Sequence, residues 1–250
     1  VMDLFGNKPW LIMLLLTTLV FVSLALKGGM YIYYFENYVS KTALAGFLSH
    51  FGVIHLTDIP AYGFSIFNAG GILFMIVGIM FSKKMADTYG KRDVFKISLL
   101  LATFFVAVFY LYPPDAILLI FVSQILHGFF YGITIPLLWA MIADVADYSE
   151  WKNNRRATAI IFSAMLVGLK LGITFGGSLV TVCLDLYSYD ALVDNQSETT
   201  VQGIKMAMSI YASIPFLAGI GLLFLYEIDK AMEDRIENEL NKRRLENKES

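Results

Sequence analysis

The chain has 250 residues, 57% of them hydrophobic and only 16% charged, with a formal net charge of −2, whereas an ordinary globular domain carries about 25% charged residues. With a mean hydropathy of +0.63, this composition points to a polytopic membrane protein and argues against a strongly basic nucleic-acid binder. The single cysteine, Cys183, excludes an intrachain disulfide and a cysteine metal cluster.

Six apolar runs are long enough to span a bilayer. The first runs from Trp10 to about Tyr38, the second from Tyr62 to Phe81, and the third from Val94 to Tyr112, ending at Pro113-Pro114. The fourth covers Ala116 to Ala143, the fifth Ala157 to Leu184 and the sixth Ile204 to Tyr226. The sequence predicts an all-α bundle over residues 1–226, followed by a soluble, helical tail over 227–250 rich in Glu, Lys and Arg. Loop charge sets the orientation. Ser82 to Lys96 carries Lys83, Lys84, Lys91, Arg92 and Lys96, and the fourth loop carries Lys152, Arg155 and Arg156, so both are expected in the cytoplasm. Asp185 to Gly203 has no Lys or Arg and is expected outside, which puts both termini inside.

Helical periodicity separates polar from packing faces. On the fifth span Ser163, Lys170, Thr174, Gly177 and Thr181 share one side, and Ala164, Gly168, Gly172 and Gly176 form a small-residue ladder roughly opposite. At about 1.5 Å per residue, Lys170 lies roughly 18 to 20 Å from either end of the run, too deep for its stem to reach the interface. A central lysine costs about 2.5–3.5 kcal/mol on insertion scales and normally faces protein or a water-filled path. Gln124, His127, Tyr131 and Thr134 align on the fourth span, with a kink expected at Pro136. On the first, Ser23, Lys27, Tyr31 and Tyr34 align, and Gly28-Gly29 could break the helix between them. The second span offers only Ser65 and Asn68. The third and sixth carry no deep charge and are expected at the periphery.

Plainer roles compete with site roles at several of these positions. His127 could be a hydrogen-bonded packing residue, Lys27 a snorkelling or ion-paired one, and the aromatics from Tyr31 to Tyr38 an interfacial belt. His50 and His55 have no arranged carboxylate and read as solvated loop residues, so no metal is expected. No Ser-His-Asp, HExxH or Gly-rich phosphate signature marks an enzyme, and no cofactor is expected.

The most specific stretch follows the fourth span: Asp144, Asp147, Tyr148, Glu150, Trp151 and Lys152, then Arg155-Arg156. Its Asp-Tyr-x-Glu core, with an arginine six residues after the Glu and a lysine twenty after it, resembles the glycoside-pentoside-hexuronide:cation symporters, the melibiose-permease-like branch of the major facilitator superfamily. Gly28-Gly29 through Tyr33-Tyr34-Phe35, and the tail ending in Arg243-Arg244, are also similar to this family. The resemblance covers essentially the whole chain, but only the family's second half. Asp87 to Arg92 is similar to the superfamily's cytoplasmic loop motif, with Lys83 where a glycine would be expected.

The resemblance implies helices seven to twelve of a twelve-helix carrier, with sugar bound between two bundles and moved by alternating access. It implies a role for Lys170 in organising the sugar and cation sites, and the polar faces of the first, fourth and fifth spans add Lys27, Tyr31, Tyr34, Gln124, His127, Tyr131 and Thr174 as substrate-binding or coupling candidates. Asp144, Asp147, Glu150 and Arg156 would belong to a cytoplasmic gate, helix-end charge balance being the plainer alternative. The tryptophan that meets sugar in melibiose permease falls at Ile135, one turn from Trp139, so no stacking role passes to Trp139. The expected partners are a small sugar or glycoside, the lipid of the cell's inner membrane, and a separate six-helix bundle holding most of the sodium- or proton-binding carboxylates. Since the chain opens on Val1, truncation of a longer reading frame is the expected origin, ahead of a separate half-transporter or a homodimer. A carrier of a non-sugar solute, and a six-helix channel or membrane scaffold, remain as alternatives.

Overall fold

A computed structural model describes residues 6–50, 58–153, 157–193 and 195–249. Six helical spans are long and apolar enough to cross a membrane, and no strand occurs among the described residues.

Helix α1, Lys8–Asn37, starts where Asn7 Oδ1 accepts the Trp10 amide at 3.1 Å, with Pro9 in its first turn. It continues through Gly28-Gly29 without a break. A short helix α2, Lys41–Ser49, follows, capped by Ser40. Helix α3, Ile59–Tyr89, is capped by Asp58 and runs eight residues past the predicted end of its span, to Gly90. Gly90, at φ 85°, is the whole connection to α4, Lys91–Ala107. The expected cytoplasmic loop is therefore one sharp corner, which only glycine makes without strain. A tighter turn, Val108–Leu111, closes that span.

Helix α5, Ile117–Asn153, has 37 residues, about 55 Å at 1.5 Å per residue, well beyond a hydrocarbon core of about 30 Å. The surplus lets Asp144 through Trp151 continue as helix rather than loop, and Pro136 sits inside a helix that continues on both sides of it. Helix α6, Thr158–Leu186, forms the fifth span. The sixth is composite: α7, Glu198–Met206, passes through a wide turn, Ala207–Tyr211, into α8, Ala212–Leu223. The tail forms α9, Lys230–Glu249.

Glycine seams hold the bundle together. The ladder on α6 packs against α1: a Cβ on Gly172 would lie 2.5 Å from the Thr18 carbonyl oxygen, and one on Gly176 would lie 2.4 Å from that of Val22. A second seam joins α3 to α5, where Cβ atoms on Gly78, Gly128 and Gly132 would fall within 2.0–2.2 Å of the carbonyl oxygens of Phe129, Gly71 and Met75. In lipid no hydrophobic drive pulls helices together, so close backbone approach supplies the packing energy. The apolar interior forms two clusters, one built on Leu16, Leu99, Met141 and Met165, the other on Met30, Tyr34, Phe67 and Phe109. Along α1 and α5, the buried polar residues Lys27, Gln124 and His127 fall between them.

Only 17% of the most apolar stretch of α3 and 28% of that of α6 is buried, against 44–61% in the other spans. These two helices leave the most surface unpartnered.

Candidate functional site

Between α1, α3 and α5 lies a cavity of about 180 Å³. Lys27, Tyr31, Gln124, His127 and Tyr131, chosen from sequence, all line it, joined by Asn68 and Gly71 of α3. Lys27 is only 5% exposed and His127 only 3%, so neither is a snorkelling surface group. The Lys27 ammonium meets His127 Nε2, and His127 Nδ1 meets the Ala102 carbonyl of α4 at 2.9 Å. A carbonyl only accepts, so Nδ1 carries the ring proton and Nε2 accepts from Lys27. The Tyr31 hydroxyl donates to Gln124 Oε1 at 2.8 Å, and Lys27 Nζ sits 5.3 Å from the Tyr31 ring centroid. Tyr131 stacks along the His127 ring at a centroid distance of 6.0 Å. The hydrogen-bonded packing role weighed for His127 and the cavity role therefore coexist, since it does both.

Five other residues sit elsewhere. Tyr34 is fully buried, stacked on Tyr38 and edge-on to Phe109, and does not line the cavity; its place on the polar stripe of α1 did not reveal that Phe109, in the turn after α4, covers it. Lys170 and Thr174 are exposed on α6, on the side opposite the glycine ladder. Thr174 Oγ1 donates to the Lys170 carbonyl at 2.9 Å, and no carboxylate pairs with Lys170 among the described residues. Thr134 spends its hydroxyl on the Tyr131 carbonyl at 2.7 Å. Trp139 stacks on Phe162 at 6.4 Å and does not line the cavity.

A second polar cluster occupies the charged end of α5. Lys91 donates to both Asp144 oxygens, at 2.5 and 2.6 Å, and lies 3.5 Å from Glu233 of the tail. Burial pushes the Glu233 carboxyl up to about 7, the Asp144 carboxylate adding to the shift and Lys91 opposing it. Asp147 lines the same recess, with Glu237 and Arg244. Arg244 pairs with Glu150 at 3.1 Å, Trp151 Nε1 donates to Glu239 at 2.6 Å, and Arg243 donates to the Trp151 carbonyl at 3.1 Å. Arg155, Arg156, Asp194 and His55 lie outside the described residues.

The tail expected from its composition to be soluble and helical forms a helix that docks on the bundle, with Ile236 and Leu240 only 3% and 4% exposed. Met232, Ile236 and Leu240 recur every fourth residue in an otherwise charged segment, which is the legible signal for a packed face. It also brings Glu233 and Arg244 to the site, residues that charge counting alone assigned to solvent. No group of three or more His, Cys, Asp or Glu able to hold a metal occurs among the described residues.

Residues 1–230 match the MFS/sugar transport protein family. The chain is 29% identical to the inner membrane symporter YicJ of Escherichia coli over 217 residues, covering 86% of this chain and 43% of that protein. It is 26% identical to YagG of the same organism, named as a candidate glycoside/cation symporter, over 96% of this chain and 48% of YagG. It is also 26% identical to the isoprimeverose transporter of Lactiplantibacillus pentosus, over 90% of this chain and 43% of that transporter. The chain spans about half the length of the curated relatives it matches. With six apolar helices and these relatives, it is an integral membrane protein. Matched across nearly its whole length, the chain belongs to the MFS/sugar transport protein family.

Proposed function

We propose that this six-helix bundle is the second half of a sugar:cation symporter working by alternating access in the cell's inner membrane. The observation that carries this reading is the polar cavity between α1, α3 and α5, where a buried cation, an amide, an imidazole and two phenols meet in an apolar bundle. Burying that set is costly unless it serves a polar cargo. Relatives named as a symporter and as an isoprimeverose transporter support the sugar class, a glycoside, pentoside or hexuronide. The cavity's 180 Å³ falls below the roughly 300–1,000 Å³ of ordinary ligand pockets, as expected of one wall of a site completed by a first six-helix bundle.

In this reading Lys170 and Thr174 face the shared path from α6, and the first bundle supplies most of the carboxylates for sodium or protons. The cluster of Lys91, Asp144, Glu150, Glu233 and Arg244 ties the cytoplasmic ends together when that side is closed. Both ends of this bundle face the cytoplasm, placing Lys83, Lys84 and Lys91 inside. The work is binding and rocking, with no covalent step.

Vesicles carrying the complete transporter should take up sodium or protons when glycoside is added and accumulate glycoside when a cation gradient is imposed. Solute flux with no sugar dependence would favour a non-sugar carrier, and ungated ion flux would favour a channel; either result overturns the symport reading.

A further inference from the structure

Resting on that symport reading, we infer that Lys27 is the subsite for a carboxylate on the transported sugar, so that this carrier selects acidic sugars over their neutral counterparts. Three features of the cavity converge on this. The first is an unbalanced charge. Lys27 is 5% exposed, yet its ammonium has no carboxylate partner among the described residues. An uncompensated buried cation is among the costlier groups a protein can hold, and it normally pairs with an anion.

The second is the state of its neighbour. Because Nδ1–H donates to the Ala102 carbonyl, His127 offers Lys27 the lone pair of a neutral ring at Nε2. It positions the ammonium without cancelling its charge, and it leaves two of the three ammonium protons unused. The ring of Tyr31 holds the same nitrogen from another side.

The third is the donor character of the walls. The Tyr31 hydroxyl occupies Gln124 Oε1, so the Gln124 amide nitrogen is the end left for a ligand. That nitrogen lies over Gly71, where a Cβ would come within 2.5 Å of it, and Asn68 adds a second amide to the lining. A cation with an adjacent amide donor matches a carboxylate, whose two oxygens accept only. At about 180 Å³ the cavity suits one substituent rather than a whole sugar, so the ring would lie toward the open side and only its acidic group would enter.

The test uses the complete transporter in vesicles and two probes that differ only at the sixth carbon, methyl glucuronide and methyl glucoside. The ratio of their initial uptake rates on the same membranes cancels differences in the amount of folded protein. The wild type should favour the glucuronide by about 10- to 100-fold, the range for a hydrogen bond to a charged group. Lys27→Met should bring the ratio close to one. Lys27→Arg should keep the preference, and His127→Gln should reduce it without abolishing it. A wild-type ratio near one, or a preference that survives Lys27→Met, overturns the inference while cation-coupled glucoside uptake leaves the symport reading intact. Failure of both probes to move with a cation overturns both.

Discussion

Lys27 and Lys170 are both lysines inside apolar spans, and the structure treats them oppositely. Lys27 is enclosed by three helices, held by His127 and placed against Tyr31. Lys170 stands on the exposed side of α6, with no partner for its ammonium among the described residues. The difference comes from the small residues around each. On α6, Gly168, Gly172 and Gly176 claim the packing face for α1 and turn Lys170 away. On the other side, the seam of Gly71, Gly78, Gly128 and Gly132 joins α3 to α5 and leaves a hollow beside Lys27. One lysine is solved within this bundle, and the other depends on what lies outside it.

The sharpest way to break this contrast is Lys170→Met in the complete transporter. Sugar accumulation should disappear while the amount of protein in the membrane stays the same; uptake at the wild-type level would reduce Lys170 to a structural charge. Next come the two faces of α6. Gly172→Leu forces side-chain atoms against the Thr18 carbonyl and should cost about 1–3 kcal/mol or more, seen as a lower unfolding temperature in detergent. Gly177→Leu, with nothing within 4 Å of the added Cβ, should change stability by no more than about 0.5 kcal/mol. Equal losses would mean that the faces are not distinct.

A smaller effect belongs to the cluster at the charged end of α5. Glu233 titrates at about 7 when docked, above its ordinary value of about 4.3, so the docked tail binds this proton more tightly than the free one. Docking is then favoured fully below about pH 4, weakens as pH rises towards 7, and is level above it. The fluorescence of Trp151, with Trp10 and Trp139 replaced by Phe, should report that slope, and Glu233→Gln should flatten it. Lys91, Asp144, Asp147, Asp234, Glu237 and Arg244 surround the site, and all stay in place in that variant. The smallest change is expected from Arg244→Ala, which removes a partly exposed pair worth about 0.2–1 kcal/mol, read as a slight weakening of tail docking.

Residue periodicity made much of this legible. A four-residue repeat brought Lys27 and Tyr31 onto one side of α1, and a three-to-four-residue repeat brought Gln124, His127 and Tyr131 onto one side of α5. The ladder on α6 was readable because a run of small residues at helical spacing in a membrane-spanning helix marks a face of close approach. What escaped depended on which helix lies against which. Tyr34 shares the stripe of Lys27 but meets Phe109 rather than the hollow. Gly28-Gly29 suggested a break, but Gly29 fits its backbone against Val180 of α6 while the helix runs on. The tail's charges masked the Met232, Ile236 and Leu240 stripe that docks it.

The central claim is that the Lys170 face of α6 and the Lys27 cavity border one aqueous sugar path. With Cys183 replaced by Ser in the complete transporter, Thr174→Cys should react with a membrane-impermeant maleimide, and transported sugar should slow that reaction. Phe104→Cys, exposed on α4, should react only with a lipid-soluble reagent. A Thr174→Cys variant that behaves like Phe104→Cys would place the Lys170 face in lipid and contradict the account.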